Sequence, residues 1–412
     1  MLRRLAPRSM FKGRMPSSSA ADASEVLGEQ SGSVAVGLLN RPNKLNLLNE
    51  NMIVRLQELY QRWEADSNVV AVILKGNGRA FCAGGDVASV CELGRQGNLR
   101  LPRLHDNLMV LTSTGRQHQA SGFFYKEYVL NYYLATFKKP HVAFLNGVVM
   151  GGGNGVSVHG KYRVATEKTL FAMPETALGL HPDVGASYFL SRLDGHLGEY
   201  LGLTGERLDG ADMLNIGLAT HYVPSERLAS LESELRSVSS PESVEETLGK
   251  FSGRPPVQGK SCLHRLQVIN ACFSGDTVEG ILHALERERG DGDDEWLDKA
   301  TSKLKGASPT SLKITLASIR RGRQESLAEC LAREYRMSFR AVSAKYSGDF
   351  YEGCRAILID KDNRPRWDPS KLEGVSREVV EGYFAALGDG EGGELQLPVG
   401  ERGAGARSRA RI

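Results

Sequence analysis

"HVAFLNGVVMGGGNGVSVHG", His141 to Gly160, passes from an apolar run directly into a glycine cluster. The apolar half is continuous rather than alternating, which suits a strand buried on both faces. The glycine half can turn sharply and open a helix. "VVAVILKG", 69–76, shows the same continuous pattern, while "SVAVGLLN", 33–40, alternates and ends in the turn "NRPNKLN". Between them Met52, Leu56, Leu59 or Tyr60, and Trp63 recur at helical spacing, with Arg55, Glu58 and Arg62 on the other side. "YRVATEKTLFAM", 162–173, reads as a further strand pair. Strands alternating with helical segments predict an α/β fold on a mainly parallel core.

Beyond Pro241 the pattern turns helical and more charged, as in "HRLQVINACF", "TVEGILHALERE" and "SLAECLAREYRMSFRAV". This divides the chain into a core domain over 28–240 and a smaller helical C-terminal section over 241–387. Within the core, "GRQGNLRLPRLHDNLMVLTSTGRQHQASG" lacks clear periodicity, and residues 95–121 read as a long loop insertion. The Gly- and Arg-rich residues 388–412 read as a disordered tail that does not end in a peroxisomal S-K-L type signal. Residues 1–27 carry Arg3, Arg4, Arg8, Lys12 and Arg14 with serines, and no acid before Asp22. That is the composition of a mitochondrial transit peptide, with a plain basic tail as the alternative.

The 412 residues carry a net charge of +3, with basic residues dispersed among acids, which excludes a nucleic-acid surface. No apolar run approaches the ~20 residues of a membrane span. Cys82, Cys91, Cys262, Cys272, Cys330 and Cys354 are scattered, which argues against a disulfide framework or a zinc site and for a reducing compartment.

Chemistry concentrates in three segments. "GRAFCAGGDV" (78–87) and "MGGGNG" (150–155) each follow a predicted strand, and "MPETALGLHPDVG" (173–185) begins where the next one ends. A glycine cluster after a strand is most often only a tight turn. The third segment, however, holds Glu175 and Asp183 among apolar residues with no lysine or arginine to neutralise them. Unpaired acids in such a setting are either exposed or kept for chemistry.

In their order and spacing these segments resemble the crotonase (enoyl-CoA hydratase/isomerase) superfamily over about residues 28–235. "FFYKEYVLN", "MGGGNGVSVHG", "YRVATE", "FAMPETALGLHPDVGASYFL", "SPTSLKIT", "EYRMS", "DFYEGCRAILIDKD" and "RPRW" are similar to its 3-hydroxyisobutyryl-CoA hydrolase branch. The resemblance implies a crotonase-type ββα spiral core. It implies that the N–H groups of Gly85 and Gly152 grip a thioester carbonyl, where fixed donors favour the charged transition state over the substrate. Gly152 would add the partial charge of a helix N-terminus. It further implies that Glu175 faces the reacting carbon, that Asp183 holds the substrate hydroxyl and orients Glu175 or water, and that Glu127 lines the substrate pocket. Structural alternatives stand beside each: a helix N-terminal acid for Glu175, a capping turn for Asp183, a solvated helix position for Glu127.

Hydratases of this family carry a second glutamate two residues after their GGG, where this chain has Gly155. A lone Glu175 can activate one water, or attack, at a thioester carbonyl. The resemblance therefore implies hydrolysis of 3-hydroxyisobutyryl-CoA, with 3-hydroxypropionyl-CoA, in valine breakdown in the mitochondrial matrix. No metal or redox cofactor is expected, because CoA arrives as part of the substrate. A homo-oligomer is left open. The competing readings are an enoyl-CoA hydratase or isomerase, and a structural subunit of a mitochondrial assembly such as the ribosome. His181 and Cys82 read as pocket or core residues, and Lys44 as either a CoA-loop or a surface lysine.

Overall fold

The computed structural model describes residues 25–98, 110–388, 391 and 393–402. The N-terminal segment read as a transit peptide lies outside the described residues up to position 24, and its last two residues already belong to a strand. Among the described residues ten strands form two sheets: β1 (Val26–Ser31), β2 (Val34–Leu39), β3 (Ala71–Gly76), β4 (Ala80–Cys82), β5 (His141–Leu145), β6 (Val148–Met150), β7 (Tyr162–Ala165), β8 (Leu170–Ala172), β9 (Leu208–Asp209) and β10 (His221–Tyr222). One sheet has the order β1-β2-β3-β5-β7-β10 and the other β4-β6-β8-β9. From β3 to β8 successive strands alternate between the sheets, so each turn of the chain adds one strand to both. Pairing is parallel except for the hairpin β1–β2 and the pair β8–β9.

The continuous apolar strands are buried on both faces. Val34, Val36, Ile73, Val142 and Val164 pack against the helices Leu228–Leu235 and Pro241–Phe251. Their neighbours Ala35, Val72, Leu74, Ala143 and Ala165 face the main core. The domain boundary expected at 240/241 therefore falls inside a helical layer of the core sheet. The main core also runs on through Leu297, Leu312 and Leu331 to Leu395, so the C-terminal helices share it rather than forming a core of their own.

Helix α1 (Glu50–Ala65) opens on Asn49, whose side chain accepts from the Met52 N–H, and buries the stripe read from the sequence. The loop expected over 95–121 is corrected: α2 (Val87–Asn98) and α3 (Val110–Ala135) occupy most of it, and residues 99–109 lie outside the described residues. The C-terminal half of α3 escapes a periodicity reading because it is buried nearly all round: Phe123, Phe124, Tyr128, Leu130, Tyr132 and Leu134 all lie in the core.

The expected disordered tail is corrected too. Leu395 is buried in the main core, and Arg402 pairs with Glu64 at 2.7 Å while its guanidinium lies 3.7 Å from the centre of the Tyr133 ring. Residues 403–412 lie outside the described residues. Leu395→Ala is expected to cost about 2–3 kcal/mol in a denaturant titration, as for other core leucines; an unchanged midpoint would show the segment unpacked.

Candidate active site

Strands β4, β6 and β8 lie side by side and parallel, so their C-terminal ends open at one edge of the small sheet. That edge receives all three segments picked out from the sequence. After β4, Leu48 N–H donates to Gly84 O at 2.8 Å and Asp86 N–H donates to Leu48 O at 2.7 Å. This isolated bridge leaves the Gly85 N–H on the opposite side. After β6, Gly151 (φ +45°) turns the chain into the short helix α4 (Gly152–Gly155), which begins at Gly152. Among the described residues neither the Gly85 nor the Gly152 N–H donates to a backbone carbonyl.

Glycine is required here because the backbones almost touch. A Cβ placed on Gly152 would lie 3.1 Å from Gly85 N and 2.3 Å from Glu127 Oε1. One placed on Gly151 would lie 2.9 Å from Glu175 Oε1. The structure thus brings Gly85, Gly152, Glu127 and Glu175 together. Glu175 opens a single helical turn, Glu175–Leu178, just after β8.

The solvated alternative for Glu127 does not hold, whereas Glu175 does stand at the N-terminus of its short helical turn. Glu127, Glu175 and Asp183 are all buried, and no lysine or arginine pairs with them among the described residues. Among the described residues Glu127 Oε1 and Glu175 Oε2 have no hydrogen-bond partner. Burial first, then the neighbouring Asp183, holds the Glu127 and Glu175 carboxyls well above the ordinary carboxylate range. Burial pushes Asp183 up to about 6, against the pull of a hydrogen bond from Tyr128.

That hydrogen bond starts a chain into the C-terminal helices. Tyr128 Oη donates to Asp183 Oδ2 at 2.7 Å and lies 2.7 Å from Ser338 Oγ, which is 3.2 Å from His181 Nε2. His181 spends its other nitrogen 3.1 Å from the Pro182 carbonyl, and burial lowers it to about 4. Its place is in this scaffold, outside the group of carboxylates. Glu334, on the same helix as Ser338 (Leu327–Val342), accepts from Gly185 N at 2.6 Å and from Ser187 N at 2.9 Å. It thereby clamps the turn that carries Asp183. Between them Val184 sits at φ +54°, a conformation strained for a β-branched residue.

Tyr128, Asn131, Glu334 and Ser338 escape a reading of the sequence. A signal was available for the last two: they are polar, four apart, and fall at helical spacing beside the apolar Leu331, Tyr335 and Val342. Gly155 acquires a physical reading as well. A Cβ there would lie 2.7 Å from both Asn131 Nδ2 and Val184 Cβ, so no second acid fits at this position without displacing them. Cys82 is buried with its thiol pushed up to about 12, mainly by burial, which keeps it protonated and inert. Lys44 is exposed on the "RPNK" turn.

Comparison with known proteins extends these observations. The enoyl-CoA hydratase/isomerase family model matches residues 34–384. The chain is 52% identical over 380 residues to 3-hydroxyisobutyryl-CoA hydrolase 1 of Arabidopsis thaliana, covering 92% of this chain and 95% of that one. It is 43% identical over 392 residues to the mitochondrial 3-hydroxyisobutyryl-CoA hydrolase of Danio rerio, covering 94% and 95%. It is also 41% identical over 406 residues to the small ribosomal subunit protein mS47 of Arabidopsis thaliana, covering 96% and 95%. Among solved structures, a carnitinyl-CoA dehydratase from Mycobacterium thermoresistibile superposes with a TM-score of 0.78 at 34% identity, covering 91% of this chain and 99% of that one. A match of that extent, on a chain whose glycine loops meet at one sheet edge, makes this protein a member of the enoyl-CoA hydratase/isomerase family.

Proposed function

We propose that the protein is a thioesterase that hydrolyses 3-hydroxyisobutyryl-CoA, and with it 3-hydroxypropionyl-CoA, to the free hydroxy acid and CoA. The observation that carries the reading is a pair of buried acids, Glu175 and Glu127, gathered around glycine N–H groups that donate to no backbone carbonyl among the described residues, with position 155 closed to a further acid by Asn131 and Val184. The hydrolase names of the Arabidopsis and zebrafish relatives support the same activity and substrate.

In this reading the thioester oxygen lies between Gly85 N–H and Gly152 N–H. Both donors are held by backbone, so they need no reorganisation as charge develops on that oxygen. Glu175 either takes a proton from the attacking water or attacks the carbonyl itself and is released by water from the mixed anhydride. CoA leaves as a thiolate without an acid, because a thiol of pKa ~8.5 is a competent leaving group. Asp183, fixed by Tyr128, holds the substrate hydroxyl, and Glu127 lines the same pocket. No resident metal or redox cofactor takes part. The mitochondrial relative and the basic N-terminal segment support a mitochondrial location, in which valine breakdown supplies the substrate.

A second reading is favoured by the ribosomal relative: the chain serves as a structural subunit of a mitochondrial ribosome. Co-sedimentation with ribosomal particles and absence of thiol release would support it. The buried carboxyl oxygens of Glu127 and Glu175, which no packing role needs, favour the enzyme. A hydratase is disfavoured by the closed space at Gly155.

Two measurements test the enzyme reading. Glu175→Gln is expected to keep the fold and lose roughly 10²–10⁴ in thioesterase rate, followed by thiol release; a fully active variant would mean the acid is misassigned. The rate should also fall with acidification at a pH well above the ordinary carboxylate range, because Glu175 must be ionised and burial with the Asp183 charge raises its pKa. Asp183→Asn removes one repelling charge and should move that limb to lower pH. A limb already at the ordinary carboxylate pH in the unmodified enzyme would contradict the geometry.

A further inference from the structure

We propose that Asn131 reads the substrate's hydroxyl group, and so sets the preference for hydroxyacyl over plain acyl thioesters. The inference rests on the thioesterase reading and goes beyond it, since that reading places the hydroxyl only against Asp183.

Asn131 is completely buried, and among the described residues neither its Nδ2 nor its Oδ1 has a hydrogen-bond partner. Burying an amide without a partner is unfavourable, and such groups in a folded protein call for an explanation. Its location supplies one. On α3, Asn131 stands one helical turn beyond Glu127, and the two side chains lie along α4: Glu127 beside Gly152, Asn131 beside Gly155. Asn131 Nδ2 and Val184 Cβ each lie 2.7 Å from the point where a Gly155 side chain would begin. The amide can reach this spot only because residue 155 has no side chain.

The opposite wall of the same spot is unusual as well. Val184 holds its left-handed conformation with its carbonyl 2.7 Å from His159 Nε2, while Glu334 secures the Gly185 N–H that follows. A strained residue pinned from both sides sets the position of Asp183 next to it. One wall therefore presents an amide without a partner among the described residues, and the other is Val184, which directly follows Asp183, whose carboxylate accepts from Tyr128.

A hydroxyl is the group that satisfies both at once. Its oxygen accepts from Asn131 Nδ2–H while its hydrogen is donated to the Asp183 carboxylate. A thioester lacking the hydroxyl would leave the Asn131 amide unpartnered, and buried polar groups left unpaired are what give a site strong discrimination. A saturated methyl or methylene offers neither contact.

The test compares kcat/KM for 3-hydroxyisobutyryl-CoA and for isobutyryl-CoA, which lacks the hydroxyl, in the unmodified protein, Asn131→Ala and Asn131→Leu. Each ratio is taken on one protein preparation, so the fraction that is folded cancels. The preference for the hydroxylated substrate should fall roughly 10- to 100-fold in both variants. Leucine has the heavy-atom count and branching of asparagine without its donor. A leucine variant that keeps the full preference would make shape, not the hydrogen bond, the cause and would overturn the proposal. Ratios unchanged in both variants would overturn it as well, with the thioesterase reading intact. An unmodified protein inert to both thioesters would remove that reading, and this inference with it.

Discussion

Everything at the site depends on two backbones approaching with no side chain between them. Gly85 N lies 3.1 Å from where a Cβ on Gly152 would stand, and the acid oxygens of Glu127 and Glu175 crowd the same volume. The approach is possible because β4, β6 and β8 run parallel and end level with one another, each spilling its loop over the same edge. Alternation of the chain between two sheets makes those strands neighbours although helices separate them in sequence. The winding of the chain thus does the gathering, and glycine keeps the gathered space open.

What fills that space is a set of carboxyl groups that no lysine or arginine pairs with among the described residues. Three carboxyls lie buried together, which raises their affinity for protons and keeps them from all ionising at once. Such a cluster would relax by swinging side chains apart if the framework allowed it. It does not: Tyr128 holds Asp183, Glu334 holds the turn behind it, and Glu175 is fixed in a one-turn helix. Rigidity here is a condition for reactivity, because a carboxyl kept away from water and from partners retains its basicity for an incoming substrate.

Local features were legible in the sequence and distant ones were not. Gly85, Gly152 and Glu175 lie within short segments whose turns and strand ends are encoded by their own residues, and the α1 stripe is a one-sided pattern with a polar back. Asn131, Tyr128, Glu334 and Ser338 acquire meaning only when α3 and the 327–342 helix are packed against the glycine loops. The supposed loop over 95–121 misled for a different reason: Thr112, Ser113, Thr114 and Gly115 have weak helix preference and interrupt any stripe in the first turns of α3. The final segment misled through composition, since glycines and arginines mask Leu395 and Leu397, which pack into and against the main core.

The Glu334 clamp reaches across 149 positions to Gly185. A nascent chain that has just delivered its strands and glycine loops still lacks this brace, so the Asp183 turn stays unset until the final third emerges. Contacts so remote in sequence slow folding, because a long loop must close before they form. A chain stopped short before residue 334 would lack this brace together with the share of the main core that the last helices supply.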